Sequence, residues 1–347
     1  MKHIVLITPG FAANNNDTVT IPALRAFAAE LARQQVKVTV LALEYPARVD
    51  TYDVDGVTVY SCGGNNRPWP LKLLALYKAA RLFVAINKAQ PVTHIHSFWW
   101  QHTVMLGNYL SGKYTLPHLT TLMGQDVLRD NIYARLLPVK NNTVVALSAY
   151  HAKHYTATFA KQPTAVIPWG IDKHNTVAAP SMRDIDVLSV GWLSTIKNYK
   201  LFVEVIAIVA KHKPDIKCVI AGDGEQRTAL KQQIAALKLE NTIQIAGLLP
   251  RSEVLQLMAR SKVLLHTSGF ESYGYVFAEA WVNGMQVVST PVGIADTTNA
   301  HIGNNAEELA HKLLTVLNGT ATKPAPVVPL MADTVKQYMQ LYNSMEN

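Results

Sequence analysis

The stretch GFESYGYVFAEAWVNG, residues 269–284, carries the pattern that decides the fold. An apolar run, KVLLH, ends just before it at His266, and helical spacing resumes near Tyr275, so the stretch spans a strand-to-helix turn. The unpaired backbone N–H groups at the start of such a helix bind anions, and Gly274 lets a phosphate approach the backbone. The turn is therefore predicted to hold a phosphate.

Two carboxylates flank this turn. Glu271 precedes it, and Glu279 lies about one helical turn further along. Carboxylates accept strong hydrogen bonds from hydroxyls, so the pair would suit sugar and ribose hydroxyls on either side of a bound diphosphate. Alternatively, Glu271 is an N-terminal helix charge and Glu279 an exposed helical residue. Acidic residues are common in the first turns of helices, so this alternative is favoured when the pair is considered alone. The surrounding segments favour the binding role.

Strand-like and helix-like segments alternate along the whole chain. Apolar runs such as HIVLIT and IDVLSVG are separated by amphipathic stretches, which is typical of βαβ units and parallel sheets. The 347 residues suffice for two domains, and the proline- and glycine-containing stretch IPWGIDKHNTVAAPSMRD predicts their boundary. Ligands of open parallel sheets bind outside the carboxyl ends of the strands, so a cleft between the domains is the expected site.

Further segments around the opening stretch have a recognisable order. They are VIPWGID (166–172), VLSVGWLSTIKNYK (187–200), CVIAGDGEQ (218–226) and IQIAGLLPRSEV (243–254). Together with ESYGYVFAEAWVNGMQVVSTPVG at 271–293, they resemble the retaining glycosyltransferases of family 4, whose signature has two glutamates separated by seven residues. The resemblance covers nearly the whole chain and is most specific from VIPWGID to STPVG.

The resemblance implies an α/β protein of the GT-B fold, with two Rossmann-like domains whose parallel sheets face a central cleft. Residues 1–170 would form the N-terminal acceptor-binding domain, and residues 171–325 the C-terminal domain that binds a nucleotide sugar. Residues 326–347 would form a C-terminal helix that packs back towards the N-terminal domain.

The resemblance also assigns roles to individual residues. Glu271 would contact the donor sugar near its reacting carbon, Lys197 would bind the nucleotide diphosphate, and Glu279 would bind the ribose. The remaining nucleotide contacts would come from Ser272, Tyr273, Gly274, Tyr275 and Val276 around the diphosphate and from Leu248 and Leu249 at the base. The donor substrate would be a nucleotide-diphosphate sugar, with neither a tightly bound cofactor nor a metal.

The sequence departs from the family pattern at two positions. Trp192 replaces the arginine that usually follows the glycine of the VGRL element, and Met123 replaces the histidine of the TxHGxD turn in TLMGQD. Asp126 is retained in that turn and stays a catalytic candidate. His96, in HIHSFWWQH, follows a strand and could partly substitute for the missing histidine, although ordinary strand-end histidines explain the same pattern.

These departures motivate an alternative function, a catalytically weak or inactive nucleotide-sugar-binding partner of another glycosyltransferase. A dinucleotide oxidoreductase would also have Rossmann-like domains, but the first strand is followed by TPGFAANN, which lacks the glycine fingerprint.

Two further features of the sequence fit either ligand binding or packing. Trp99 and Trp100 fit either a platform for a sugar or lipid or a packed core, and the basic segment at 67–88 fits either a membrane-surface helix or a core helix with solvated lysines.

The charge is unevenly distributed. Residues 1–170 contain 16 lysines and arginines against 8 acidic residues, residues 171–347 contain 16 of each, and no acidic residue occurs between Asp55 and Asp126. Such a basic surface attracts phosphates, and we expect a glycan or lipid-linked acceptor and an anionic membrane surface as partners. The basic span has no nucleic-acid recognition motif. Cys62 and Cys218 lack a metal or redox spacing, which favours a cytoplasmic protein, at the membrane face if the basic surface binds lipid.

Overall fold

The computed structural model describes residues 2–68, 71–137, 143–172, 177–178, 180 and 182–346. The chain folds into two compact units. Unit 1 consists of Met1–Gly170 and Pro329–Asn347, and unit 2 consists of Ile171–Val328. The C-terminal segment therefore belongs to unit 1.

Strands and helices alternate in both units. The strands are β1 His3–Gly10, β2 Lys37–Tyr45, β3 Val49–Val54, β4 Val57–Cys62, β5 His94–Phe98, β6 His118–Thr121, β7 Thr143–Ala146, β8 Ala165–Val166, β9 Ile185–Val190, β10 Cys218–Ala221, β11 Ile243–Gly247, β12 Ser261–His266, β13 Gln286–Ser289 and β14 His301–Ile302. The helices are α1 Pro22–Arg33, α2 Leu71–Ala89, α3 His102–Tyr114, α4 Ile132–Leu136, α5 Ala149–Phe159, α6 Tyr199–Ala210, α7 Arg227–Ala236, α8 Arg251–Arg260, α9 Tyr275–Val282, α10 Ala306–Leu317 and α11 Met331–Ser344.

Unit 1 is built on a sheet of order β3-β4-β2-β1-β5-β6-β7-β8. Its pairs are parallel, except that β3 is antiparallel to β4. The central strand β1 is a continuous apolar run because helices cover both faces of a parallel sheet. The chain runs from β1 to β2 on one side and later adds β5 on the other, so the strand order switches direction between β1 and β5. The carboxyl ends at such a switch are where open α/β sheets bind ligands.

The C-terminal helix α11 packs against this sheet and contacts His96. The His96 ring is fully buried, with Nδ1 2.6 Å from the Tyr342 hydroxyl and Nε2 2.8 Å from the Thr121 hydroxyl. Burial lowers the pKa of His96 well below its ordinary value, so the ring is neutral at pH 7. Nδ1 thus bonds α11 and Nε2 bonds β6, so both ring nitrogens have partners inside unit 1. The partial substitution of His96 for the family histidine stays a prediction. His94 likewise bonds the Tyr342 carbonyl oxygen at 3.0 Å.

The two tryptophans after β5 have different surroundings. Trp100 is fully buried, donates from Nε1 to the Tyr133 carbonyl oxygen at 3.3 Å and packs edge-on against Phe159. Trp99 is only half-buried and has a positive φ of 63°. Trp100 is therefore a core residue, and only Trp99 retains a surface that a ligand could contact.

Unit 2 has a parallel sheet of order β11-β10-β9-β12-β13-β14. Helices α6 and α10 cover one face, and their apolar side chains, Phe202, Val209 and Leu313 among them, form a core with β9, β10 and β12. This packing places the carboxyl ends of β9, β10 and β12 side by side at one edge. Within the described residues, no helix has the length and hydropathy of a transmembrane segment.

Replacing Tyr342 with phenylalanine tests the attachment of α11. The Tyr342→Phe change removes the hydroxyl partner of His96 and leaves a buried ring nitrogen unsatisfied, so we expect the free energy of unfolding to fall by about 1–3 kcal/mol. Urea titrations followed by circular dichroism measure this difference. Tyr77→Phe, on the exposed side of α2, is the matched control and should change it by less than about 0.5 kcal/mol. Equal stabilities of the two variants would contradict the assignment.

Candidate functional site

Two glycine turns bring the ends of β9 and β10 together in unit 2. A β-carbon at Gly222 would overlap the carbonyl oxygen of Gly191, and one at Gly224 would lie 2.8 Å from the Leu193 nitrogen. The turns are joined by backbone hydrogen bonds, since Leu193 donates to the Asp223 carbonyl oxygen at 2.8 Å. These glycines are required because backbone packs directly on backbone.

The loop after β12 is tied to the turn that follows β9. The backbone N–H of Gly269 donates to the Ile196 carbonyl oxygen at 2.7 Å, and the Ser268 hydroxyl donates to the same oxygen at 3.2 Å. The Thr267 hydroxyl donates to the Asn198 carbonyl oxygen at 3.0 Å. These hydrogen bonds fix residues 196–198 against residues 267–269. Lys197 is thereby positioned next to the side chain of Glu271.

Lys197, His266 and Glu271 form the polar centre of this region. The ammonium of Lys197 and Nε2 of His266 both contact Oε1 of Glu271, the latter at 2.8 Å. His266 is buried, whereas the side chains of Lys197 and Glu271 keep 23% and 12% of their surface exposed. A ligand can therefore reach the Lys197 ammonium and Glu271. These three side chains, with the helix start at Gly274, are called the strand-end site below.

The electrostatics of the strand-end site keep Glu271 ionised. Burial alone would raise the pKa of Glu271, but the charge of Lys197 and the hydrogen bond to His266 outweigh it and lower the pKa to about 2. Burial lowers the pKa of His266, so its ring is neutral and donates from Nε2 to the carboxylate at pH 7. The strand-end site therefore contains one ammonium and one carboxylate, with a neutral imidazole that fixes the carboxylate.

Helix α9 begins at the predicted turn. Gly274 has a φ of 77°, and a β-carbon there would overlap the ring of the fully buried Phe277, so both conformation and space require glycine. The preceding backbone is held by Gly293, which packs against the Tyr273 carbonyl oxygen without room for a β-carbon. The predicted diphosphate contacts lie at this start: Ser272, Tyr273 and Gly274 are buried, and Tyr275 and Val276 are half-buried.

Glu279 is buried in α9 and is not the exposed helical residue of the alternative interpretation. The guanidinium of Arg251, the first residue of α8, contacts Oε1 of Glu279. Burial raises the pKa of Glu279, although the charge of Arg251 opposes this shift. Sequence reasoning missed Arg251, even though it lies in the quoted segment LLPRSEV. It missed the role of His266 as well, because a single histidine at a strand end carries no distinctive pattern.

The predicted base contacts lie at the end of β11. Leu248 is 57% exposed and Leu249 is half-buried, immediately after Gly247 with a φ of 81°. The Arg227 guanidinium approaches Gly247, with Nη1 3.4 Å from where a β-carbon would lie, and it also contacts Asp223 at 2.6 Å. Leu248 therefore offers an exposed apolar surface next to the strand-end loops.

Trp192 occupies the position of the missing arginine. Its indole is 55% exposed, and Nε1 donates to the Glu225 carboxylate at 2.9 Å. The end of β9 thus presents a flat apolar ring where a guanidinium was expected from the family pattern.

In unit 1, the catalytic candidate Asp126 is held by backbone hydrogen bonds. Its buried carboxylate accepts backbone N–H groups from Gly124 and Trp100, both at 2.7 Å, and from Met123 at 3.3 Å. Burial raises the pKa of Asp126 to about 6, although these hydrogen bonds oppose the shift. The carboxylate therefore shapes the turn at 123–126 through backbone donors, and its catalytic role stays a prediction. Met123 is half-buried at the same turn.

Of the predicted residues, Lys197 and Glu271 are in direct contact, beside the helix start at Gly274. Glu279 lies deeper in the same helix. Within the described residues, no three or more histidine, cysteine or acidic side chains are grouped as a metal site would require.

Comparisons with known proteins identify related sequences and folds. Residues 171–325 match the family model described as glycosyl transferases group 1, and residues 21–180 match the model described as glycosyl transferase 4-like domain. The chain is 29% identical over 161 residues to the phosphatidylinositol N-acetylglucosaminyltransferase gpi3 subunit of Schizosaccharomyces pombe. That match covers 44% of this chain and 35% of the subunit, so the chain spans about a third of its relative's length.

Solved structures share the fold over the full chain. Sucrose-phosphate synthase from Thermosynechococcus elongatus aligns with a TM-score of 0.78 and 15% identity, covering 100% of this chain and 99% of that one. The Anabaena protein HepE, solved in complex with UDP and glucose, aligns with a TM-score of 0.71 and 18% identity, covering 99% of each chain. At these identities the likeness establishes the GT-B fold alone.

Removing the ammonium of Lys197 tests the electrostatics of the strand-end site. In the wild type, the low pKa of Glu271 gives stability that is complete above pH 4.5 and is lost as the pH falls towards 2. This contribution is on the order of 3 kcal/mol. We expect Lys197→Met to lower the free energy of unfolding at pH 7 and to flatten its fall between pH 4.5 and 3, as measured by urea titrations at each pH.

Lys200→Met is the matched control, because Lys200 is exposed. Its ammonium makes a long ion pair, 3.9 Å from the Glu204 carboxylate one helical turn away. It should cost no more than about 0.5 kcal/mol. A Lys197→Met protein with the acid sensitivity of the wild type would show that the ion pair does not hold Glu271 ionised.

Proposed function

Because the chain belongs to the family 4-like glycosyltransferases of the GT-B fold, we propose that it is a retaining hexosyltransferase that uses a nucleotide-diphosphate sugar. The acceptor in this proposal is a hydroxyl group of a glycan or lipid-linked molecule. The name of the Schizosaccharomyces pombe relative makes an N-acetylglucosaminyl group the first sugar to test.

One observation carries this proposal: the contact between Lys197 and Glu271 beside the helix start at Gly274. When a glycosyl bond breaks, negative charge develops on the departing diphosphate, and stabilising that charge is the main demand on the protein. The ammonium of Lys197 and the backbone N–H groups at the start of α9 would supply that stabilisation. Glu271 stays ionised at pH 7 and can accept hydrogen bonds from hydroxyls of the sugar.

His266 would orient Glu271 for this role. Both His266 and Lys197 contact Oε1, so Oε2 is the oxygen that would accept from a sugar hydroxyl. Arg251 would do the same for Glu279, where the ribose is proposed to bind. In each pair a buried cationic or imidazole group fixes one carboxylate oxygen, which reduces the conformational freedom lost when the donor binds.

The proposal places the acceptor at an anionic membrane surface. Helix α2 exposes apolar side chains together with basic ones. Leu73, Leu74 and Tyr77 are 49%, 50% and 58% exposed. Lys78 and Arg81 are also exposed, four residues after Leu74 and Tyr77, and so lie on the same face of the helix. Apolar insertion and attraction to anionic lipids act together in interfacial helices. Trp69, at the start of this basic segment, lies outside the described residues.

Sugar transfer is tested with purified protein and a panel of UDP-, ADP- and GDP-sugars that includes UDP-N-acetylglucosamine. We expect at least one nucleoside diphosphate to raise the thermal midpoint, and Glu271→Gln to lower kcat by about 10²–10³ because it removes a preorganised charge. Glu279→Gln should weaken donor binding by about tenfold, through loss of a charged hydrogen bond to ribose. Retention is read from the anomeric proton of the product by nuclear magnetic resonance.

Glu204→Gln is the control, since this carboxylate lies on α6, is half-exposed and has Lys200 as its ion-pair partner. The proposal fails if no nucleoside diphosphate shifts the thermal midpoint. Donor binding without hydrolysis or transfer across the acceptor panel would instead favour the alternative of a nucleotide-sugar-binding partner, which Met123 motivates by occupying the position of the family histidine.

Membrane binding is tested by sedimentation with vesicles of phosphatidylcholine and phosphatidylglycerol. We expect the double variant Leu73→Ser and Leu74→Ser, and separately Lys78→Gln with Arg81→Gln, to reduce the bound fraction several-fold. Leu237→Ser and Lys231→Gln, exposed positions of unit 2, are the matched controls. Binding that is insensitive to all α2 changes would exclude this surface as the membrane contact.

A further inference from the structure

Three ionisable side chains meet at the carboxyl ends of the strands in unit 1. Glu44 is near the end of β2, Lys72 lies in the first turn of α2, and His102 is the first residue of α3. Nε2 of His102 is 3.2 Å from Oε1 of Glu44, and Nζ of Lys72 is 3.7 Å from the same oxygen. Glu44 and His102 are buried, whereas the Lys72 side chain keeps 21% of its surface exposed. We call this group the Glu44 cluster.

The loop after β4 holds the Glu44 carboxylate in place. The backbone N–H of Asn66 donates to Oε2 of Glu44 at 2.8 Å, and the N–H of Gly64 donates to the Leu43 carbonyl oxygen at 2.9 Å. A β-carbon at Gly64 would overlap Oε2, so glycine is required for the loop to enclose the carboxylate. One oxygen is thus fixed by the backbone, and Oε1 points to His102 and Lys72.

The polar atoms that face each other in the Glu44 cluster are not satisfied. Among the described residues, Oε1 of Glu44 and both ring nitrogens of His102 are buried without a hydrogen bond, because the close approach of the two side chains lacks hydrogen-bond alignment. Leaving a buried polar atom in this state costs about 1–3 kcal/mol. Burial and the charge of Lys72 lower the pKa of His102 to about 4, so the ring is neutral at pH 7, with one donor and one acceptor nitrogen.

This arrangement suits hydroxyl groups better than a metal ion. The Glu44 cluster contains one carboxylate and one imidazole, fewer than the three or four protein ligands of an ordinary zinc site. A hydroxyl can donate to the carboxylate and accept from the imidazole or the ammonium at the same time. Two neighbouring hydroxyls would satisfy Oε1 and the His102 ring together.

The position in the fold identifies which substrate would bind there. Glu44 lies near the end of β2 and His102 follows β5, and these two strands flank β1 at the switch point of the sheet. The strand-end site of unit 2 already contains the groups proposed for the donor. The Glu44 cluster is therefore available for the other substrate of the same reaction.

We propose that Glu44, His102 and Lys72 bind vicinal hydroxyls of the acceptor's head group, a sugar or cyclitol. This inference rests on the proposed function, because it assigns the second substrate of the transfer. The ligand enters on the side of Lys72, the exposed member, whose ammonium turns towards a ligand oxygen. Glu44 then accepts a hydrogen bond from one hydroxyl, and His102 forms a hydrogen bond with the neighbouring hydroxyl.

The experiment uses the full chain and three soluble probes: myo-inositol, methyl α-glucoside and N-acetylglucosamine. Saturation-transfer nuclear magnetic resonance measures their binding, and the acceptor KM is measured with whichever probe supports transfer. We expect Glu44→Gln and His102→Gln to weaken probe binding by tenfold or more and to raise the acceptor KM to match, since each removes a buried charged or imidazole hydrogen bond. Lys72→Met, on the exposed rim, should weaken binding by about threefold.

Glu30→Gln is the matched control, because Glu30 is paired with Arg33 on α1 and not with the Glu44 cluster. The thermal shift by the nucleoside diphosphate should be unchanged in every variant, which separates this inference from the donor site. Failure of wild-type protein to bind any of the three probes at millimolar concentration would overturn the inference, as would unchanged binding in Glu44→Gln and Lys72→Met. Loss of nucleotide binding in the wild type would instead overturn the proposed function, whatever the probes show.

Discussion

The contact between Lys197 and Glu271 is the interaction on which the strand-end site depends. An ion pair with little exposed surface must recover the cost of removing both charges from water, and it does so only when the geometry is fixed. Here the geometry is fixed by backbone: the turn after β9 and the loop after β12 share hydrogen bonds at Ile196 and Asn198. The stability that the pair contributes therefore depends on how the ends of β9 and β12 are joined.

A second ion pair, between Arg251 and Glu279, is buried more deeply and is also fixed by the fold. Arg251 begins α8 and reaches Glu279 in α9, so the pair links the helices that follow β11 and β12, two strands separated by β10 and β9 in the sheet. Removing either partner would leave an uncompensated charge in the interior, which is far more costly than never having placed the pair there. Both glutamates of the signature are thus held by a cation from a different loop or helix. This common arrangement explains why a largely apolar segment contains carboxylates.

Local patterns predicted most of the architecture and every member of the strand-end site except His266, whereas long-range packing decided the rest. The turn at Gly274 and the positions of Glu271 and Lys197 follow from spacing and from family motifs, because those features are local. Arg251 was missed because nothing in LLPRSEV indicates which carboxylate its side chain meets. The hydrogen bond of His96 was not predicted because its partner, Tyr342, comes 246 residues later in a helix that the sequence does not connect to β5. The backbone contacts of Asp126 were not predicted either, since a carboxylate that caps its own turn has the same sequence pattern as one that meets a substrate.

The substitution of Trp192 for arginine changes the charge balance of the strand-end site. With His266 neutral, Lys197 and Glu271 sum to about zero, so a bound diphosphate would bring uncompensated negative charge. The indole N–H of Trp192 is directed at the Glu225 carboxylate and does not replace a guanidinium. The start of α9 then becomes the principal remaining source of positive potential, equivalent to about half a charge. Lys197 would have to serve Glu271 and the diphosphate at once, which makes the rigid loop contacts that fix its position more consequential here than in a site with two cations.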